Sequence, residues 1–439
     1  MNINIKQLNS QEPNFLQDLK NLTTFELSED FQIENTVREI IQNVRNNGDS
    51  AVLSYTQKFD NLQNINNLSQ LQITPTELDQ AISKVPQEKL NAIKIAAERI
   101  KNFHQKQFEK LGGSWDFTEN ENILGQRIFP LQKVGLYVPG GKAAYPSSVL
   151  MNAIPAKVAG VKELIMVVPT PNGEKNAMVL AAAKIAGVDK IFTIGGAQAV
   201  AALAFGTQTI PKVAKIVGPG NAYVTAAKRQ VFGVVGIDMI AGPSEILVIA
   251  DDSANPDWVA IDLFSQAEHD ELAQAILISP SENFIKKVQK SVENLIKNQP
   301  RKEIIATSLN NRGAFIKCSD LDEAVKIANE IAPEHLELSL EINTAKIYAE
   351  KICNAGAVFV GNYTSEALGD YCVGPNHVLP TSGSARFSSP LGVYDFVKRS
   401  SYVCVAESSS KYLGEIAATL ADGEGLFAHK QSAEMRYKK

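Results

Sequence analysis

Histidine side chains are few in this sequence and are concentrated in its second half. Of the five histidines, four lie there beside acidic, amide or glycine residues, namely His269, His335, His377 and His429. Imidazole can bind a metal ion or transfer a proton near neutral pH, so the clustering indicates a catalytic or metal-binding site. His104 lies among Lys and Gln in a helical segment, and we expect it to be a solvated surface residue.

A predicted helix in the second half carries two side chains that could bind one metal ion. Asn255 and Pro256 predict the start of this helix, and Gln266 and His269 follow three residues apart, on one helix face. The same pair could be polar helix residues that hydrogen-bond to their neighbours. The four cysteines are widely spaced and form no CxxC pair, so any metal would use nitrogen and oxygen ligands.

Further acidic and imidazole groups lie at the ends of predicted elements. Asp370 and, seven residues later, His377 lie in the irregular stretch after the strand AGAVFV. Loops at strand ends often bind ligands in open α/β sheets, although loop glycines also make ordinary turns. Glu334 and His335 join a helical run to the strand LELSL, and adjacent side chains share one site only where such an element begins or ends. The alternative there is a surface glutamate beside a buried histidine.

The C-terminal tail contains a segment that is unusual for a purely structural role. Glu424 lies between two glycines, and His429 follows five residues later. A tail of roughly 50 residues is too small to form its own core, so it must pack on its own chain or on a second copy. Donation of a side chain to the site of a second copy would fix the tail in place.

Three glycine-rich turns, at residues 135–141, 195–198 and 218–221, each follow a predicted strand and precede a predicted helix. Such turns suit a ligand whose phosphate lies near a helix start. None of them contains GxGxxG, so they could also serve packing alone. A fourth turn, at residues 241–245, could present Ser244 to a cleft.

Alternating β-branched and alanine-rich segments predict an α/β protein with two Rossmann-like parallel-sheet domains. The first series contains VGLYV, ELIMVV, KIFTIGG and AKIVGPG, and the second contains EILVIA, AQAILIS, GAFIKC and AGAVFV. We therefore predict four parts of the chain. They are a helical arm at 1–120 that packs on the second α/β unit, α/β units at 121–242 and 243–380, and a dimerisation tail at 381–439 that is exchanged with a partner subunit.

Composition narrows the classes of function. The 43 basic and 48 acidic side chains give a net charge of −5, which offers no electrostatic support for nucleic-acid binding. No apolar stretch approaches the roughly 18 residues of a membrane span, and the first residues lack the basic start and apolar run of a signal peptide. We therefore expect a cytoplasmic protein with no nucleic-acid or membrane partner.

Seven features taken together resemble the histidinol dehydrogenase family. They are VGLYVPGG, GPGNAYV, AGPSE, SQAEH, PEHLEL, GDY with GPNHVLPT, and EGLFAH, in the same order from about residue 120 to His429. The resemblance implies a zinc-dependent, four-electron oxidation of L-histidinol through L-histidinaldehyde to L-histidine that consumes two NAD⁺. It also implies an intertwined homodimer with shared active sites and one zinc ion per subunit.

The same resemblance implies roles for individual residues. The zinc ligands would be Gln266, His269 and Asp370, with His429 supplied by the other subunit. His335 would accept the hydroxyl proton in the first oxidation, and Glu334 would activate water for the second. The substrate would contact the zinc ligands and also Ser244, His335, His377 and Glu424. The NAD site would be lined by Tyr137, Gln198 and Asn221.

Other functions remain open from the residues alone. A zinc hydrolase could use Glu334 and metal-bound water without any nucleotide. A non-catalytic binding protein could use metal and nucleotide for sensing or assembly, although it would need fewer ionisable groups. Cys372 could form a thiohemiacetal with an aldehyde, but its apolar neighbours in the sequence favour a structural role.

Overall fold

Two all-parallel β-sheets form the body of the protein. The computed structural model describes residues 3–24, 31–140 and 145–438. Within these ranges one parallel sheet has five strands, the other has six, and an antiparallel sheet has three. The predicted α/β class with parallel sheets is confirmed, whereas the antiparallel sheet was not predicted. None of the helices in these ranges is both long enough and apolar enough to cross a lipid bilayer.

The N-terminal segment consists mainly of helices. Its elements are β1 (Lys6–Asn9), α1 (Phe15–Thr23), α2 (Phe31–Asn47), α3 (Asp49–Phe59), α4 (Pro75–Ser83), α5 (Gln87–Leu111), β2 (Trp115–Glu119) and β3 (Asn122–Pro130). Helix α4 begins where it does because the Thr74 hydroxyl accepts the backbone N–H of Glu77, while the Glu77 carboxylate accepts that of Thr74. This capping box satisfies two backbone donors that the helix cannot pair.

The first parallel sheet reverses its winding direction at its centre. Its unit contains β4 (Lys133–Tyr137), α6 (Pro146–Val158), β5 (Glu163–Val167), α7 (Ala177–Ile185), β6 (Lys190–Phe192), α8 (Gly196–Phe205), β7 (Lys215–Val217), α9 (Ala222–Val231) and β8 (Gly236–Ile237). The strand order is β6-β5-β4-β7-β8, so the chain winds outward from β4 and then returns to the other side. In open parallel sheets ligands commonly bind at such a reversal, which in this sheet lies between the carboxyl ends of β4 and β7.

The second parallel sheet has the same kind of reversal. Its unit contains β9 (Glu245–Ala250), α10 (Pro256–Ala267), β10 (Gln274–Ser279), α11 (Glu282–Leu295), α12 (Lys302–Arg312), β11 (Ala314–Lys317), α13 (Leu321–Ile331), β12 (His335–Ser339), α14 (Ile342–Ala349), β13 (Ala357–Val360) and α15 (Glu366–Tyr371). The strand order is β1-β11-β10-β9-β12-β13. The winding therefore reverses between β9 and β12.

The N-terminal segment packs on both units, not on the second unit alone as we predicted. Strand β1 extends the second sheet through parallel pairing with β11, and Phe15 and Leu19 of α1 join its core. Helix α2, however, buries Val37 and Ile40 against the alanine-rich helices of the first unit. Helix α5 also packs on the first unit, because Ile100 joins the same apolar cluster as α6 and α7. The segment therefore bridges the two sheets.

The C-terminal tail forms one strand and two helices, β14 (Val397–Cys404), α16 (Glu407–Gly423) and α17 (Phe427–Glu434). Strand β14 pairs antiparallel with β3, which in turn pairs with β2. Single-turn 3₁₀ helices occur at Leu68–Leu71, Pro171–Gly173, Ile296–Asn298, Ser384–Arg386 and Val393–Phe396. Large apolar side chains of the tail are left exposed, among them Tyr412, Leu420, Phe427 and Met435. The exchange of this tail with a partner subunit remains a prediction.

His104 is fully buried, which corrects its expected place on the surface. Its Nδ1–H donates to Oε1 of Gln107 at 3.0 Å, and its Nε2 lies 3.4 Å from the side-chain nitrogen of Asn376. That same Asn376 nitrogen donates to the backbone oxygen of Met151 at 2.7 Å. Burial lowers the pKa of His104, in keeping with a neutral ring in the core.

We expect His104→Ala to lower the free energy of unfolding by about 2–4 kcal/mol, because the change leaves a cavity and removes a hydrogen-bond partner of buried Asn376. Urea denaturation monitored by circular dichroism measures this loss. The exposed neighbour Gln105→Ala serves as the control and should change stability by less than about 0.5 kcal/mol. Equal stability of the two variants would contradict the buried role of His104.

Candidate functional site

One cavity of about 630 Å³ lies between the two parallel sheets. The first sheet contributes residues that follow β7 and β8, at its carboxyl edge, whereas the second sheet contributes residues at the start of β12 and just before β9, at its amino edge. Eight of the predicted site residues line this cavity: Asn221, Ser244, Gln266, His269, Glu334, His335, Asp370 and His377. The structure thus brings together side chains that are up to 156 positions apart in the sequence.

His335 is the first residue of β12 and is fixed by the neighbouring strand. Its Nδ1 lies 3.0 Å from the backbone oxygen of Glu245. The same Nδ1 lies 3.1 Å from the side-chain nitrogen of Gln266. Because the carbonyl oxygen only accepts, we assign the hydrogen to Nδ1, which leaves Nε2 without a hydrogen-bond partner among the described residues. Nε2 is buried 3.5 Å from a carboxylate oxygen of Asp370. Burial alone would lower the pKa of His335, but the carboxyl groups of Glu366 and Glu334 raise it well above its usual value.

Glu334 lies immediately before β12, so both members of the acid–imidazole pair reach the cavity. Its Oε2 accepts the backbone N–H of Glu245 at 2.8 Å and lies 3.6 Å from Nδ1 of His335. Burial raises the pKa of Glu334 to about 8. A carboxyl group with a pKa near working pH can exchange protons with a reacting water.

Gln266 and His269 lie together at the carboxyl end of α10. The helix begins at Pro256 with Asn255 as its cap, as predicted, but it ends at Ala267. His269 therefore lies beyond the helix, and a turn holds it close, because its N–H donates to the oxygen of Gln266 at 3.1 Å. The carboxyl end of a helix carries partial negative charge, which favours a cation at this place.

The donor atoms near this helix end match a nitrogen- and oxygen-ligated metal. Among the described residues, no group hydrogen-bonds the buried Oε1 of Gln266, so this oxygen is available as a ligand. Burial lowers the pKa of His269, which favours the neutral ring that metals bind. Burial would raise the pKa of Asp370, but the neighbouring imidazoles of His335 and His377 lower it, which favours the carboxylate.

Glu366 is a site residue that the sequence reasoning missed. It is buried, and its Oε1 lies 3.8 Å from Nδ1 of His335. Burial raises its pKa to about 7. Glu366, His335 and Asp370 also form a candidate metal group, with ligand atoms within 4.8 Å of one another. Since Nδ1 of His335 is a donor, Glu366 faces a hydrogen atom and is better placed as a partner of the imidazole than as a co-ligand with it. The sequence feature that could have revealed Glu366 is its position four residues before Asp370, which places both side chains on one helix face.

Two of the predicted substrate contacts, Ser244 and His377, lie on the cavity wall near these groups. Nδ1 of His377 donates to the backbone oxygen of Asp370 at 3.0 Å, and burial lowers the pKa of the ring. Ser244 precedes β9 and accepts the backbone N–H of Gln274 with its own backbone oxygen at 2.9 Å. The side chains of both residues border the same space as His335.

The three predicted nucleotide contacts lie near the winding reversal of the first sheet. Asn221 caps α9, because its side chain accepts the N–H of Val224 at 3.1 Å, and it lines the cavity. Tyr137 and Gln198 are buried behind the glycine turns and do not line it. The Tyr137 hydroxyl accepts the N–H of Gly196 at 3.0 Å, and burial raises its pKa to about 12. Gly141, at the end of one predicted turn, lies outside the described residues.

Glu424 and His429 are not brought to this cavity within one chain. Both are exposed; Glu424 directly follows α16, and His429 lies in the first turn of α17. The cavity lining of the single chain contains neither residue.

Comparisons with known proteins agree over nearly the whole chain. The family model described as histidinol dehydrogenase matches residues 24–437. Histidinol dehydrogenase of Cupriavidus pinatubonensis is 58% identical over 440 residues, covering 100% of this chain and 98% of that protein. The enzyme of Dechloromonas aromatica is 60% identical over 433 residues, covering 98% and 99%. The crystal structure of histidinol dehydrogenase from Elizabethkingia anophelis superposes with a TM-score of 0.90 at 36% identity, covering 100% and 99%.

Proposed function

Because the chain belongs to the histidinol dehydrogenase family, we propose that it oxidises L-histidinol to L-histidine through L-histidinaldehyde, with one zinc ion per subunit and two NAD⁺ per turnover. Family membership makes the chain an oxidoreductase of the last steps of histidine biosynthesis. The observation that carries the proposal is the convergence of Gln266, His269, Glu334, His335 and Asp370 on one cavity. The cytoplasm remains the predicted location.

The proposed zinc ion would be held by Gln266, His269 and Asp370, together with the partner subunit's His429. The unpaired Oε1 of Gln266 and the neutral ring of His269 support this set. When bound, zinc would supply positive charge that attracts the imidazole and amine nitrogens of histidinol and so orients the alcohol. Ser244, His377 and the partner subunit's Glu424 would complete the substrate contacts.

His335 would act in the first oxidation as the proton acceptor. Its Nε2 has no hydrogen-bond partner among the described residues, and it can accept a proton when the ring is neutral. The surrounding carboxyl groups raise the pKa of the ring, which strengthens it as a base and also favours its protonated form near neutral pH. The alcohol loses its hydroxyl proton to Nε2 while its carbinol carbon loses a hydride. NAD⁺, when bound, accepts the hydride in each of the two oxidations. The tautomer that Glu245 fixes keeps Nε2 aimed at the substrate side.

Glu334 would act in the second oxidation as the base for water. The water adds to the aldehyde carbon and gives up a proton to the Glu334 carboxylate, and the resulting hydrate then loses a second hydride. The buried backbone N–H of Glu245 holds one oxygen of this carboxylate and leaves the other for water. Because the cavity is lined by protein on both sides, the reactive aldehyde can stay bound between the steps.

The nucleotide would lie at the winding reversal of the first sheet. Tyr137 ends β4, Gly218 follows β7, and Asn221 caps α9, so these three residues lie around the place where parallel sheets bind dinucleotides. The amino end of α9 can receive a phosphate. Gln198, at the start of α8 on the same carboxyl edge of the sheet, would also contact the cofactor.

A homodimer with shared sites is supported by the tail. Its exposed apolar side chains need a cover that the described part of this chain does not supply, and a second copy would bury them. In such a dimer Glu424 and His429 of each tail would reach the cavity of the other subunit. In this arrangement the Glu424 carboxylate would contact the substrate and the His429 imidazole would bind the zinc ion.

The test is a histidinol-dependent assay of NADH at 340 nm on the purified protein. We expect two NADH per histidinol consumed, loss of activity after treatment with a zinc chelator, and recovery when zinc is restored. Absence of NADH together with cleavage of an ester or amide would support a zinc hydrolase instead. Histidinol and zinc binding by calorimetry without turnover at any NAD⁺ concentration would indicate a binding protein.

The second oxidation should depend on pH through Glu334. Burial raises the pKa of this carboxyl group to about 8, so it is mainly protonated below that pH and mainly ionised above it. Only the carboxylate can accept a proton from water, so we expect the rate of histidinaldehyde oxidation to rise with pH and to level off above about 8. A pH profile measured with histidinaldehyde as substrate checks this, and Glu334→Gln should lack the rising limb. An unchanged limb in that variant would assign it to another group.

A further inference from the structure

A buried ion pair holds the backbone of the third glycine turn from both sides. Asp238, at the end of β8, accepts the N–H of Gly218 at 2.8 Å, and Lys228 on α9 donates to the oxygen of Gly218 at 2.9 Å. The Lys228 ammonium and the Asp238 carboxylate also contact each other directly. The exposed fractions of the two side chains are 4% and 1%, so water competes little with these contacts.

Gly218 needs such an anchor because its own conformation is unusual. Its φ is +111°, a region that side-chain-bearing residues rarely adopt, and a Cβ here would overlap the backbone oxygen of Tyr137. The turn therefore brings the ends of β7 and β4 into direct contact at the winding reversal. Glycine reaches this conformation but does not hold it, because it has the widest range of backbone angles. The ion pair supplies the restraint that the residue lacks.

Holding a turn with two buried charges carries a large desolvation cost in free energy. Removing both ions from water costs several kcal/mol, which apolar residues of similar volume would avoid. The geometry shows what the charged groups add. One acceptor binds the backbone N–H of Gly218 and one donor binds its backbone oxygen, which apolar side chains cannot do. Asp238, Lys228 and Gly218 all border the large cavity, so this restraint acts on its wall.

We propose that Lys228 and Asp238 are positioning residues that hold the Gly218 turn, and with it the amino end of α9, in the form that receives the phosphates of the nicotinamide cofactor. The proposal rests on the proposed function for the identity of the cofactor. Lys228 is occupied by Asp238 and by Gly218, so it acts through the turn and not by contact with phosphate.

The test compares Lys228→Met, Asp238→Leu and the double variant with a matched ion pair. Lys215 and Asp395 form a control pair at the opposite end of β7, where Lys215 likewise donates to both a backbone oxygen and a carboxylate. The readouts are KM and kcat for NAD⁺, KM for histidinol, zinc content, and the dissociation constant of NADH from fluorescence titration. The last readout does not depend on turnover.

We expect the pair variants to raise both KM for NAD⁺ and the dissociation constant of NADH roughly ten- to hundredfold, the effect of losing a hydrogen bond to a charged group. KM for histidinol and zinc content should stay within about twofold of wild type. Because both side chains hold one residue, the double variant should lose about as much as either single variant. Lys215→Met with Asp395→Leu should leave cofactor binding unchanged.

Several results would overturn the proposal. Additive losses in the double variant, or a loss confined to Lys228→Met, would mean that Lys228 binds phosphate directly. Losses equal to those of the control pair would mean a general effect on stability. If a single variant leaves an unpaired buried charge and fails to fold, the double variant, which carries neither charge, decides the question. A wild-type protein that makes no NADH from histidinol refutes the proposed function, whereas an active wild type with unaffected variants refutes this inference alone.

Discussion

Replacing His335 by Asn should lower kcat of the histidinol oxidation by about a hundred- to ten-thousandfold, the usual contribution of a positioned general base. Asn keeps a polar side chain beside the oxygen of Glu245 but has no basic nitrogen in the place of Nε2. The rate of NADH formation from histidinol, measured in a single turnover, checks the prediction. Zinc content should stay at the wild-type level, because His335 is not among the proposed ligands.

Two outcomes would contradict this role of His335. Activity close to wild type would exclude it as the base. Loss of zinc together with activity would indicate that His335, Glu366 and Asp370, whose ligand atoms lie within 4.8 Å of one another, form the metal centre instead. Glu366→Leu is the matched variant for that alternative, because it removes the side-chain oxygens at this position and should cause loss of zinc only if Glu366 binds the metal.

Glu334→Gln should lower the rate of the aldehyde oxidation by about a hundred- to ten-thousandfold and affect the first oxidation much less. Gln has the shape of Glu, and its side-chain oxygen can still accept the N–H of Glu245, but it cannot take a proton from water. A single turnover with histidinol should therefore release one NADH instead of two. A carbonyl-trapping reagent should capture the accumulated histidinaldehyde.

The control for this prediction is the same protein supplied with histidinaldehyde, where Glu334→Gln should be slow from the start. His335→Asn should in comparison recover part of its activity when the aldehyde bypasses the first step. Equal losses of both variants in both oxidations would refute the division of labour between the two residues.

The sequence predicted the two parallel sheets well because their strands are buried on both faces. Segments such as EILVIA are continuous apolar runs, and the structure has a fully buried strand there, β9. The small antiparallel sheet was missed for the opposite reason. Strands β2 and β14 are almost entirely exposed, so they carry no apolar alternation that distinguishes them from a helix end or a linker.

The site was predictable as a set of residues but not as a place in the fold. The rule that ligands bind at carboxyl ends of parallel strands holds for the first sheet, where Gly218 follows β7. In the second sheet the reactive groups lie at the amino edge, because His335 begins β12 and because Gln266 lies at the far end of the helix that returns from β9. Motif spacing does not record the direction in which an element runs.

The burial of His104 shows a second limit of sequence reasoning. Apart from Phe103, its neighbours in the chain are polar, and the exposed side of α5 dominates the local pattern. The residue that meets its Nε2 is Asn376, which is 272 positions away. Burial that depends on so distant a segment leaves no local signal, whereas the helix start at Pro256 depends only on Asn255 and its immediate neighbours.

If His429 of the other subunit completes each cavity, as we propose, a mixture of two inactive variants should regain activity. In a mixed dimer of His335→Asn and His429→Ala, one cavity would carry both changes and the other neither. After dissociation and reassociation at equal amounts, half of the dimers should be mixed, so about a quarter of wild-type activity should return. The control is a mixture of His335→Asn and Asp370→Ala, two residues that each chain contributes to its own cavity. In that mixed dimer each cavity carries one of the two changes, so the mixture should stay inactive. No recovery in the first mixture, with dimers shown to exchange, would refute the shared site.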